Sequence, residues 1–135
     1  MEIWMRTSED ICLRGSCLCG GIRYRMQKPV RYACHCYCTM CRKQHGAAAG
    51  SYAVLPSANV VFERGAELVT EYASSEQGRR GFCSVCGSTL FWRSTQTPQT
   101  IAITLGTLDQ AYDGPVEQEL HTDTKPAWLP LRSPG

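Results

Sequence analysis

Seven of the nine cysteines in this 135-residue chain fall into three tight clusters: Cys17-x-Cys19, Cys36-x-Cys38-x-x-Cys41 and Cys83-x-x-Cys86. Gaps of one and two residues present thiolates to a single ion at about 2.3 Å each, which is how protein zinc sites are built. Seven divides as four plus three. Four thiolates close a structural tetrahedron, whereas three leave a coordination position for water or a substrate. An ion shared between Cys17 and Cys83 would also tie the start of the chain to its later segments, a long loop to close.

A disulfide-rich secreted fold is the rival reading, and it fits poorly. Nine is an odd number, and cysteines one residue apart are badly placed for disulfide geometry. Residues 1–10 carry acids and lack the apolar core of a signal peptide. No apolar run reaches the roughly 18–20 residues that a membrane span needs. A reducing, cytoplasmic location is expected, where clustered cysteines serve as metal ligands. Seven thiolates and two divalent ions would move the formal charge from +2 to about −1, so no polyanion-binding surface is implied. A nucleic-acid zinc ribbon is disfavoured for the same reason.

The length suits one domain over residues 1–135. Alternating or β-rich stretches predict strands over Ile22–Met26, Ser51–Leu55, Asn59–Glu63, Leu68–Tyr72, Thr89–Arg93 and Thr100–Leu105. Pro29, Pro56, Gly65, Gln77-Gly78 and Pro98 punctuate them as turns. A mainly-β, antiparallel sheet domain with little helix follows. One short helix is expected from an N-cap at Thr39 to a stop at Gly46, with Cys41 in its first turn. The tail from Thr122, with Pro126, Pro130 and Pro134, should be an irregular strap over the sheet.

Cys17, Cys19, Cys83 and Cys86 read as two halves of one structural zinc site, because each pair is followed directly by glycine (Gly20, Gly87). A zinc knuckle often requires a positive φ after its last cysteine, which glycine takes cheaply. Cys41 is followed instead by Arg42, a guanidinium suited to an anionic ligand. Cys36, Cys38 and Cys41 therefore read as a second zinc site with room for chemistry. A closed version of that site remains open: Cys34 is the nearest further ligand, with His35, His45 and His121 behind it.

Three segments carry a resemblance: Gly15–Gly21 (GSCLCGG), Cys36–Arg42 (CYCTMCR) and Phe82–Gly87 (FCSVCG). They are similar to the cysteine blocks of the glutathione-dependent formaldehyde-activating enzyme family, also called the centromere protein V family. Gly106–Asp109, His121 and Trp128 resemble its C-terminal pattern, and the likeness spans about residues 13–129. It implies an Mss4-like β fold and two zinc ions per chain. Cys17, Cys19, Cys83 and Cys86 would hold the structural ion, and Cys36, Cys38 and Cys41 the catalytic one. The implied reaction joins a thiol, glutathione, to an aldehyde, formaldehyde, or reverses that as a carbon–sulfur lyase. Two features depart from the family: Tyr37 stands where histidine is usual, and Cys34 is additional.

A mechanism can be written on these residues. Zinc at Cys36, Cys38 and Cys41 would capture a thiol as thiolate, while Arg42, Lys43 or the Arg79-Arg80 pair would meet glutathione's carboxylates. His121 is a candidate proton shuttle. Tyr37, Phe82, Phe91 and Trp92 are expected in the core, with a pocket wall as the alternative. Cys12 is a spare thiol. The competing function is a non-catalytic binding module in which both ions are structural.

Overall fold

The computed structural model describes residues 12–132. The acidic N-terminal stretch and Pro134 lie outside the described residues. Ten strands appear: β1 (Cys12–Ser16), β2 (Arg23–Gln27), β3 (Tyr32–Cys36), β4 (Gly50–Pro56), β5 (Val60–Arg64), β6 (Val69–Ala73), β7 (Gly78–Cys83), β8 (Thr89–Ser94), β9 (Thr100–Thr104) and β10 (Gln118–Leu120). One α-helix, α1 (Thr39–His45), joins β3 to β4. Among the described residues no helix is long and apolar enough to cross a membrane.

All six expected strands are present, with ends displaced by one residue. Strands β1, β3, β7 and β10 were not expected, and glycine explains two of them. Gly15 lies opposite Tyr24, and Gly81 opposite Phe91. In each case a Cβ on the glycine would come 2.2 Å from the facing ring. These glycines let an aromatic ring lie flat across the neighbouring strand, so here they belong inside a sheet rather than at a break. Gly78, expected as a turn, opens β7.

The strands form a three-stranded sheet, β1-β2-β5, and a seven-stranded sheet, β10-β3-β4-β9-β8-β7-β6. The pairings are antiparallel as expected, with one parallel pair, β10 with β3. Side-chain alternation gives the large sheet two different faces. Ala53, Leu55, Phe91, Ile101 and Ile103 pack with Leu13, Ile22, Tyr24 and Met26 of the small sheet and its lead-in turn. Side chains of this kind contribute roughly 1.5–3 kcal/mol each when fully buried. The intervening residues Cys34, Cys36, Tyr52, Val54, Ala102 and Trp92 form a second cluster on the opposite face. That face carries the candidate site.

Helix α1 begins one residue earlier in function than expected. Its N-cap is Cys38, not Thr39, and the Cys38 sulfur accepts the Cys41 N–H at 3.3 Å. Gly46 ends it in the left-handed conformation, φ 61°. After β10, which adds to the edge of the large sheet beside β3, the tail makes a 3-10 turn over Thr122–Thr124 and runs irregularly to residue 132.

Candidate metal centres and cavity

The turn after β1 brings Cys17 and Cys19 against Cys83 and Cys86 at the turn between β7 and β8. All four sulfurs lie within 4.8 Å of one another. Cys17 to Cys19 is 3.5 Å and Cys19 to Cys83 is 3.9 Å. Four thiolates arranged tetrahedrally at about 2.3 Å from one ion would sit about 3.8 Å apart, so the group fits a metal of zinc's size. Gly20 (φ 77°) and Gly87 (φ 80°) take the left-handed turns directly after the cysteine pairs. Those turns aim backbone N–H groups at sulfur: Ile22 donates to Cys17 at 3.2 Å and Val85 to Cys83 at 3.4 Å. The sulfurs also resist ionising together. The Gly21 N–H favours a Cys19 thiolate, yet the neighbouring sulfurs outweigh it and push Cys19 up to about 11. The Ser88 hydroxyl pulls Cys86 down to about 5. A cation among them would remove that conflict.

The second group contains Cys36, Cys38 and Cys41, again within 4.8 Å of one another. Cys36 ends β3, Cys38 caps α1 and Cys41 sits in its first turn. Burial pushes Cys36 up to about 12, and the Cys41 charge adds to this. Cys34 is buried beside the group but is not one of its mutually close sulfurs. Burial, with the Cys41 charge second, raises it to about 11. The histidines considered as closing ligands have other partners or positions. His35 pairs its Nδ1 with Ser51 Oγ at 2.8 Å, and His45 pairs its Nε2 with Tyr52 Oη at 2.8 Å. His121 lines a cavity beside the three thiols, one residue beyond Leu120, the strand partner of Cys36. Among the described residues, then, one group has four sulfurs and the other three.

That cavity has a volume of about 590 Å³ and covers the second face of the large sheet. Its floor is a cross-strand row, Tyr32–Val54–Ala102–Trp92–Arg80, set by the register of β3, β4, β9, β8 and β7. Arg80 is only 3% exposed. Its Nη1 donates to Cys41 Sγ at 3.5 Å and to Tyr52 Oη at 3.4 Å. Burial opposes the charge on Arg80, but the Cys41 sulfur more than offsets this and raises the guanidinium's hold on its proton. Tyr52 Oη also lies 3.5 Å from Cys41 Sγ, and burial together with the Cys41 charge raises the phenol well above its ordinary value. His45 is shifted the other way, down, by burial and then by the Arg80 charge. Cys41, Tyr52, Arg80 and His45 thus form one buried polar chain behind the three-thiol group.

Some sequence candidates are brought to this site and some are not. Arg42 is not: its Nη1 donates to the Thr124 carbonyl at 3.2 Å and pins the tail onto α1. Arg79 folds back onto the carbonyls of Ser75, Glu76 and Gly78. Arg80 is present, though it faces sulfur and phenol rather than open solvent. Of the four aromatics, Trp92 lines the cavity and Phe91 packs in the core. Tyr37 donates to Glu119 at 2.7 Å and lies beneath the Lys125 ammonium. Cys12 is buried on β1, away from both groups. Tyr52 was missed, and His45 was considered only as a ligand, not as the partner of Tyr52. The signal for Tyr52 was the apolar alternation of β4, which puts Tyr52 and Val54 on the face that Cys34 and Cys36 occupy.

A family model described as glutathione-dependent formaldehyde-activating enzyme matches residues 12–126. A Halomonas elongata protein, named as a candidate glutathione-dependent formaldehyde-activating enzyme, is 33% identical over 130 residues, covering 90% of this chain and 82% of that protein. A crystal structure of a Rhodobacter sphaeroides protein superposes with a TM-score of 0.62 at 21% identity, over 74% of this chain and 91% of the other. The last of these speaks to the fold alone. With the model match spanning most of its length, the chain belongs to the glutathione-dependent formaldehyde-activating enzyme family.

Proposed function

We propose that this protein is a zinc enzyme that makes or breaks the carbon–sulfur bond of a thiol–aldehyde adduct, S-hydroxymethylglutathione being the adduct that its family suggests. The carrying observation is the asymmetry of the two cysteine groups. Four sulfurs tie the β1–β2 turn to the β7–β8 turn, while three sulfurs open onto a cavity of about 590 Å³. In this reading Cys17, Cys19, Cys83 and Cys86 hold a structural ion. Cys36, Cys38 and Cys41 hold the working one.

When bound, zinc supplies the positive charge that keeps a substrate thiol ionised at neutral pH. The chain's own residues do the rest. Arg80 balances the thiolate charge from behind, through Cys41. Val54, Ala102 and Trp92 exclude water and hold the reactants together. In the synthetic direction, the substrate sulfur's electron pair attacks the aldehyde carbon and the carbonyl π pair moves to oxygen, which takes up a proton. Cleavage returns that proton, re-forms the carbonyl and expels the thiolate. His121, at the three-thiol end, is the candidate carrier of the proton.

The test is exchange between glutathione and formaldehyde, followed by NMR, with zinc-loaded protein and two variants. Cys41→Ser should abolish acceleration and lower the zinc content from two ions to one while the protein stays folded. Cys83→Ser should cost folding itself. Full activity in Cys41→Ser would end the assignment.

A further inference from the structure

The cavity's chemistry narrows the thiol. Glutathione carries two carboxylates and one ammonium, so a site built for it would offer two cations and an acid. The lining contains neither aspartate nor glutamate among the described residues. Its two guanidiniums are Arg80 and Arg31. Arg80 is 3% exposed and already donates to Cys41 and Tyr52. Of the two, Arg31, exposed and with one bond to a neutral hydroxyl, is the guanidinium placed to meet a ligand anion.

Arg31 is also well separated from the three thiols. Cys36, Cys34 and Tyr32 alternate along the cavity face of β3, and at about 3.3 Å per residue Cys36 and Tyr32 stand roughly 13 Å apart. Arg31 precedes Tyr32 and is fixed there: its N–H donates to the Val54 carbonyl at 2.8 Å and its Nη1 to Thr100 Oγ1 at 3.3 Å. Between the two ends the floor is Cys34 and Tyr52, followed by the cross-strand row of Tyr32, Val54, Ala102 and Trp92, none of them a charged side chain.

Accepting the reading of the site as a thiol–aldehyde centre, we infer that its preferred thiol has an apolar body and a single terminal carboxylate, not the zwitterionic tripeptide. The sulfur end sits at Cys36, Cys38 and Cys41, the hydrocarbon lies on Tyr52 and Val54 with Ala102 and Trp92 at its flank, and the carboxylate pairs with Arg31. A flexible alkyl chain of five or six carbons covers most of that distance, and the long Arg31 side chain spans the remainder. The ammonium of glutathione would meet no carboxylate in the described lining, only neutral side chains such as Ser75, Thr97 and Gln99, which do not balance its charge.

The test uses zinc-loaded full-length protein and titration calorimetry with 6-mercaptohexanoate, butane-1-thiol and glutathione, beside the NMR exchange assay for each thiol with formaldehyde. 6-Mercaptohexanoate should bind at least tenfold tighter than glutathione, as one charge-assisted anchor plus apolar burial predicts. Arg31→Gln should weaken 6-mercaptohexanoate about tenfold and leave butane-1-thiol unchanged, whereas Trp92→Ala should weaken both. Circular dichroism and zinc content check that each variant is folded and loaded. Glutathione binding equal to or tighter than 6-mercaptohexanoate, or an Arg31→Gln effect shared by butane-1-thiol, overturns the inference and leaves the thiol–aldehyde reading intact. Absence of binding and exchange with every thiol overturns both.

Discussion

Replacing Arg80 by Met keeps most of the side chain's volume and removes its charge. Arg80 Nη1 lies 3.5 Å from Cys41 Sγ. At an effective dielectric of about 20, unit charges at that distance attract by about 5 kcal/mol. Part of this is offset in the parent protein, because Arg80 is buried and its Nε has no hydrogen-bond partner. Leaving such a donor unsatisfied costs about 1–3 kcal/mol, which the methionine recovers. The net loss should be about 2–4 kcal/mol, felt where Cys41 must stay ionised. Zinc bound by Cys36, Cys38 and Cys41 should therefore weaken by about a hundredfold, at 1.36 kcal/mol per factor of ten. Competition with a chromophoric chelator separates the two ions, since the four-thiol site should be unaffected. Arg80→Lys, which retains the charge, should recover most of the affinity. If Arg80→Met holds its second ion as tightly as the parent, while Cys41→Ser loses it, the charge-balancing role is wrong.

Two further outcomes follow from the sheet. Gly81→Ala would drive a Cβ to 2.2 Å from the Phe91 ring, which is locked in the core against Phe62. Overpacking of this kind should cost about 1–3 kcal/mol, read as a lower urea midpoint at unchanged slope and unchanged zinc content. Glu71 accepts Arg93 Nε and Nη2 at 2.5 and 2.6 Å, and these bonds hold its carboxyl below the ordinary value of 4.5. A depressed folded pKa means the pair's contribution is complete above about pH 4.5 and is lost as pH falls through the folded value. The pair is about a third exposed, so the contribution should stay below about 1 kcal/mol. Arg93→Gln should flatten the acid-side decline in stability by that amount, measured by urea unfolding between about pH 5 and pH 3; a decline as steep as the parent's would refute the assignment.

The grouping of seven cysteines into a set of four and a set of three was legible in the sequence because cysteine spacing is a local property. The same holds for Gly20, Gly46 and Gly87, whose positive φ follows from their place after a ligand pair or a helix. Strands rich in Val, Ile and aromatics were visible too. Strands β1, β3 and β7 were not, since their glycines, cysteines and arginines look like turn or loop chemistry until the facing strand is known. Gly15 and Gly81 become strand residues only because Tyr24 and Phe91 lie across from them. Arg42 and Arg80 make the same point for the site. Proximity in sequence put Arg42 beside the thiolates, but the helix turns it toward Thr124. Arg80 is 39 residues from Cys41 and reaches it through strand register.

The seven-stranded sheet is a single wall with the protein's core on one side and its cavity on the other. Along β4 and β9, Tyr52, Val54 and Ala102 face the cavity while Ala53, Leu55, Ile101 and Ile103 face the core. A mutation on either side is separated from the other by one backbone thickness. Changes that reshape the cavity floor will therefore be filtered by selection for stability, and core changes by selection for activity. Rim positions such as Arg31, Thr97, Gln99 and His121 escape that double filter. Divergence among relatives in the compounds they accept should accumulate at the rim, while the floor drifts only by paired, compensating substitutions across the wall.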